Sequence, residues 1–138
     1  MAILNKLLSI IEDMTRRLDE FIDRGYDLSN WRDQLASIHV LQVQAQAFID
    51  LCQRLLSNMG VTAEGYSGIA RRLRDMGLVT SEEEALVKSL VGFKNVVVHG
   101  YASLDLNVVN EIPRSRSYRR VLELALALRD RARQYWDP

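Results

Sequence analysis

The chain has 138 residues, of which 48% are hydrophobic, enough apolar material for one core of ordinary domain size without disulfides. Eighteen basic residues balance eighteen acidic ones, so global charge does not select nucleic acid as a partner, and only local clustering can. Seven glycines and two prolines argue against a loop-rich or all-β protein, and Cys52, the only cysteine, excludes an internal disulfide.

The N-terminus turns charged and amphipathic within a few residues. It shows no signal-peptide pattern, and no apolar run approaches the ~20 residues of a membrane span. The expected setting is the cytoplasm, with no membrane contact. The pattern predicts one all-α domain over 1–138, a compact antiparallel bundle of four to five helices.

The first helix is predicted over Ala2–Asp23, with Ile3, Leu4, Leu7, Leu8, Ile11, Met14, Leu18, Phe21 and Ile22 as one stripe on one face. Gly25 suits its C-terminal cap. A long second helix is expected from Asn30 to Asn58, with Asn30 or Ser29 as cap and Gly60 as terminator. Its stripe begins at Trp31 and Leu35 and continues through Ile38, Leu41, Ala45, Phe48, Cys52 and Leu55. Gln42, Gln44, Gln46 and Gln53 leave it with little charge on any face. Such a helix is covered on more than one side, by a second copy or by its own bundle.

A short helix follows from Tyr66 to Met76, with Tyr66, Ile69, Leu73 and Met76 turned inward and Gly77 closing it. Thr80, followed by Glu82, Glu83 and Glu84, marks a strong helix start. The fourth helix runs from there into Gly92-Phe93-Lys94-Asn95-Val96-Val97-Val98-His99-Gly100-Tyr101. Three valines favour strand by propensity. No second strand-like segment exists to pair with them, so they are read as a buried helix end. Asp105 caps a turn over Leu106–Ile112. Pro113 interrupts or restarts the pattern, and a last helix covers about Arg114–Tyr135.

The chemistry-bearing residues concentrate near the end of the fourth helix. His99 is one of two histidines, with Lys94 five residues before it and Tyr101 two after. On an ideal helix Lys94 and His99 diverge by about 140°. Either the helix unwinds before His99, or a second copy completes the site. Asn95 lies four residues before His99 and shares its face, where an amide can orient the imidazole.

Histidine and a cation suit phosphodiester chemistry on RNA without a metal. The imidazole exchanges a proton with the 2′-hydroxyl or the leaving 5′-oxygen, and the cation stabilises phosphate charge. The bland alternative is a hydrogen-bonded core histidine in a helical adaptor. His39 and His99 lack zinc-ligand spacing, and no phosphate loop is present, so neither metal nor cofactor is expected. Arg114, Arg116, Arg119 and Arg120 open the last helix, where they form a solvated face or a hold for RNA phosphates or a partner.

The run from Leu90 to Tyr101, followed by Leu104-Asp105, resembles the signature of the HepT-like branch of the HEPN superfamily: Gly-Phe-Arg-Asn, three aliphatics, His, any residue, Tyr, then Leu/Ile-Asp. Ala45–Leu51 and Tyr66–Leu78 resemble that family's second and third helices, so the likeness covers about Leu35 to Ile112. It implies a helical homodimer with a composite cleft. It also implies a metal-independent endoribonuclease, the toxin partner of a small nucleotidyltransferase antitoxin of the MNT type. By position, His99 is the acid/base, Asn95 its polar support and Tyr101 the tyrosine such an antitoxin adenylylates. Lys94 stands where the pattern has arginine. It keeps the charge but loses the planar fork that grips phosphate. The alternative is therefore a non-catalytic HEPN dimer that binds a nucleotide or a nucleotidyltransferase.

Overall fold

The computed structural model describes residues 2–27, 29–99 and 105–137, with backbone only for Val98 and His99. Every regular element among them is helical: α1 (Ile3–Asp23), α2 (Trp31–Asn58), α3 (Ser67–Asp75), α4 (Ser81–His99), α5 (Leu106–Ser115) and α6 (Arg119–Arg131), then a 3-10 turn over Arg133–Tyr135. The all-helical expectation is borne out, with six α-helices where four to five were expected.

Local chemistry sets most boundaries. The Asn30 carboxamide accepts the Arg32 N–H at 2.9 Å and starts α2. Thr80 and Glu83 form a reciprocal capping box: the Thr80 N–H donates to Glu83 at 2.8 Å and the Glu83 N–H to the Thr80 hydroxyl at 3.2 Å. Asp105 accepts from Asn107 and Val108 and starts α5. Gly60 and Gly77, at φ of 74° and 72°, turn the chain after α2 and α3 in the left-handed region that disfavours other residues.

Helix α2 is the bundle's centre, touching α1, α3, α4, α5 and α6. Its amide-rich, charge-poor middle is accounted for by this position inside its own bundle. The larger core gathers Leu4, Leu8, Ile11, Phe48, Leu51, Leu55, Leu73, Val87 and Leu128. A smaller one joins Leu18, Ile38, Leu41, Val97, Val109 and Tyr118. Val97 is buried inside α4, so tertiary packing overrides the strand propensity of the valine run. Cys52 is buried, and desolvation pushes its thiol up, as expected of a small core residue.

Four expectations need correction. Ile3 at the start of α1, and Trp31 and Leu35 in α2, all predicted on the apolar stripes, are 46%, 66% and 46% exposed. The smaller core begins only at Ile38, so the first two turns of α2 lie outside it. Tyr66 and Met76, also predicted inward, are exposed because they flank α3 as its end caps instead of facing its core side. Pro113 does not break the chain. It sits buried inside α5, which ends two residues later where Arg116 adopts φ 59°. The last helix consequently begins at Arg119, not Arg114.

The start of α6 is tied to α1 through Asp19. Tyr118 donates its hydroxyl to that carboxylate, Arg119 Nε lies 2.9 Å away, and Arg116 reaches both Asp19 (3.5 Å) and Asp23 (2.5 Å). Burial acts to raise the Asp19 pKa, but the hydrogen bonds from Tyr118 and Arg119 outweigh it and the net shift is downward. A depressed folded-state value means stability that is present above the ordinary aspartate pKa of about 3.9 and lost as pH falls through the folded value. Asp19→Asn is therefore expected to lower the urea midpoint at pH 7, with the gap to wild type closing in acid. An equal gap at pH 7 and pH 3 would contradict this role.

Candidate functional site

The site is built on α4, so the question is which way each of its residues points. The helix is continuous through His99. Of the two ways to reconcile Lys94 with His99, unwinding before the histidine is not the one the backbone takes. The two positions stay about 140° apart around the helix.

Lys94 lies seven residues after Val87 and three after Val91, within about 60° of both on the inward face. Val87 and Val91 are buried. The lysine stem follows that face and the ammonium emerges over the ring of Tyr66, 3.3 Å from its centroid. A cation on an aromatic face is held by the ring quadrupole. Lys94 therefore has a defined resting place beside α3 rather than a free radius in solvent.

Asn95 is exposed on a different face. Lys88, Gly92, Asn95 and His99 fall within about 60° of one another around α4. They form a stripe about 16 Å long that ends at the histidine. Asn95, Gly92 and Lys88 line a cavity of about 290 Å³ between α4 and α3, with Tyr66, Ser67 and Ala70 opposite. Gly100, Tyr101 and Leu104 lie outside the described residues. The structure thus brings Lys94 and Asn95 to adjoining parts of one helix and leaves the position of the tyrosine undescribed.

The arginines of the last segment divide. Arg116 and Arg119 are engaged with Asp19 and Asp23 on α1, and Arg114 pairs with Glu111 at 3.4 Å. Arg120 is exposed at the edge of a mainly apolar cavity with Leu90, Phe93 and Ile112. The four do not form one basic surface of unengaged charges. Farther on, Arg131 is also committed, to Glu83 at 2.7 Å and the Leu78 carbonyl at 2.9 Å.

Sequence reading missed Tyr66, Lys88 and Gly92 as members of this groove. One signal was available for Lys88 and Gly92: they sit eleven and seven residues before His99, on its helical face. None was available for Tyr66, whose place depends on how α3 packs on α4.

Among the described residues, no three His, Cys, Asp or Glu side chains gather as a metal site, and no helix is long and apolar enough to cross a membrane.

A helical bundle with a histidine-bearing motif on its fourth helix defines the class. The family model described as Ribonuclease HepT-like matches residues 7–125, and the chain belongs to that family. Among solved structures, the fold is similar to a cytosolic protein of unknown function, YutE from Bacillus subtilis. That match has a TM-score of 0.78 at 18% identity and covers 100% of this chain and 97% of the other. It is also similar to a tri-AMPylated HEPN toxin from Shewanella oneidensis, determined in complex with an MNT antitoxin. Here the TM-score is 0.76 at 19% identity, covering 91% of this chain and 97% of that one. At these identities the likeness is one of fold. No curated protein matches the sequence.

Proposed function

We propose that this protein is a metal-independent endoribonuclease that acts as the toxin of a pair with a nucleotidyltransferase antitoxin. The observation that carries the reading is the HepT-like match across residues 7–125, within which Lys94, Asn95 and His99 occupy one unbroken helix. The reaction needs few parts. His99 takes the proton of a ribose 2′-hydroxyl; the 2′-oxygen attacks the adjacent phosphorus; the bond from phosphorus to the 5′-oxygen breaks; and that oxygen leaves with a proton supplied by an imidazolium or water. The Lys94 ammonium offsets the charge that builds on the phosphate oxygens. Asn95, one turn before His99, orients the imidazole.

Because Lys94 and His99 diverge on a single helix, the working site pairs Lys94 of one protomer with His99 of the other in a homodimer. The Shewanella neighbour is an AMPylated HEPN toxin bound by an MNT antitoxin, which supports an antitoxin of that type here, with Tyr101 as the acceptor of adenylyl groups. The test is cleavage of RNA by the purified protein in EDTA beside His99→Ala. No cleavage, or cleavage equal to that of the variant, sinks the reading.

A second reading has its own observation. The Lys94 ammonium rests on the ring of Tyr66, 3.3 Å from its centroid, rather than free for a phosphate. If that is its working position, the protein is a non-catalytic dimer that binds a nucleotide or a nucleotidyltransferase. Lys94→Arg, which restores the family residue, separates the two by whether ribonuclease activity rises.

A further inference from the structure

Gly92 is a residue the fold does not explain. It lies inside α4, away from either end, where glycine costs roughly 0.5–1 kcal/mol relative to alanine. It is exposed, has no positive φ, and a Cβ built there meets nothing within 4 Å. Neither a turn nor close packing inside the chain calls for it. The side chain is missing where the floor of the α3–α4 groove opens, between Lys88 and Asn95.

The walls of that groove have a consistent chemistry. Tyr66 offers a ring that is 37% exposed. Lys94 places its ammonium on that ring. Lys88 stands at the far end, 3.7 Å from Glu84, a carboxylate it shares with Arg74 at 3.9 Å. Arg74 and Lys88 face Glu84, and Lys94 adds a third cation on the ring of Tyr66, so positive charge is in excess among these four side chains. An aromatic platform with cations beside it and an amide along it is the arrangement that holds single-stranded nucleic acid.

We propose that this groove seats a nucleotide of the RNA strand beside the one whose phosphodiester is broken. Its base stacks on Tyr66, its backbone passes over Gly92, and its phosphate is held by Lys88 and Lys94. Stacking takes the ring face that the Lys94 ammonium occupies and turns that ammonium toward phosphate. The groove thus couples seating of the strand to release of Lys94 for the reaction. The stripe from Lys88 to His99 then becomes the track of the strand. This inference rests on the ribonuclease reading but is tested without cleavage.

The probe is a short 2′-O-methyl oligonucleotide, which binds but offers no 2′-hydroxyl to react, followed by fluorescence anisotropy. Gly92→Leu fills the floor with a better helix former, so its melting temperature is expected not to fall. Its affinity for the oligonucleotide is expected to drop by roughly tenfold or more, the scale of losing one stacked base. Tyr66→Leu should lose a similar factor, while Tyr66→Phe stays near wild type because the platform remains. A probe with abasic positions should bind wild type more weakly but Tyr66→Leu no more weakly than the intact probe does. Unchanged binding by Gly92→Leu overturns the proposal, as does a variant that changes self-association but not RNA affinity, which would assign the face to a second copy. If wild type binds with this pattern yet cleaves nothing, the groove stands and the ribonuclease reading falls. If wild type cleaves RNA while Gly92→Leu binds as wild type does, the reverse holds.

Discussion

Replacing His99 with alanine is expected to slow EDTA-resistant RNA cleavage by roughly 10²–10⁴-fold, the span that a positioned general acid or base contributes. The expectation follows from what the rest of the helix lacks. Asn95 is an amide, Lys88 and Lys94 carry amines, and Gly92 has no side chain, so among these residues His99 is the one whose side-chain type suits proton exchange with a ribose or a leaving oxygen. Lys94→Arg should move activity the other way. A guanidinium reaches phosphate through two parallel N–H bonds, whereas the ammonium is a point charge on a flexible stem. Were Lys94→Arg to leave the rate unchanged, the lysine would not be what limits catalysis.

The proposed composite site makes a sharper demand. Lys94→Ala and His99→Ala proteins, each inactive alone, should recover about a quarter of wild-type activity when mixed in equal amounts and allowed to exchange subunits. Random pairing makes half the dimers mixed, and a two-fold mixed dimer holds one intact site and one doubly defective site. A site completed within one chain predicts no recovery, because every protomer then lacks one group.

Much of this architecture is legible in the residues, for local reasons. The stripes of α1 and α4, the caps at Asn30, Thr80 and Asp105 and the terminating glycines are near-neighbour effects, and the structure places them within a residue or two of expectation. The valine run is legible by elimination, since a lone strand has nothing to pair with. What the sequence hides is set by distant partners. Periodicity reports the face on which Trp31 and Leu35 lie, but not whether the bundle extends far enough to cover them. The arginines at 116 and 119 read as an available basic cluster until Asp19, about a hundred residues earlier in the chain, is brought against them. Lys94 is intermediate. Its inward bearing follows from its spacing to Val87 and Val91, whereas its seat on Tyr66 requires knowing how α3 lies across α4.

Gln44 shows the same distinction in the core and carries the largest stability prediction. It sits in the apolar stripe of α2 between Leu41 and Phe48 and is 1% exposed. Its amide donates to the Thr15 hydroxyl at 3.0 Å and to the Tyr118 carbonyl at 3.1 Å, and Thr15 in turn donates to the Ile11 carbonyl at 2.7 Å. One side chain therefore joins α1, α2 and the start of α6 in a region with little water to replace it. Gln44→Ala removes a donor from a buried carbonyl and leaves a cavity, with an expected loss of about 2–4 kcal/mol. In urea this should appear as a lower midpoint with an unchanged slope. Gln44→Leu retains most of the volume and isolates the hydrogen-bond loss, so it should cost less than alanine but more than nothing. If leucine proves as stable as wild type, packing alone holds this junction. If it is as damaging as alanine, the amide itself fixes how α6 docks, and with it the Tyr118–Asp19 contact that anchors α6 to α1.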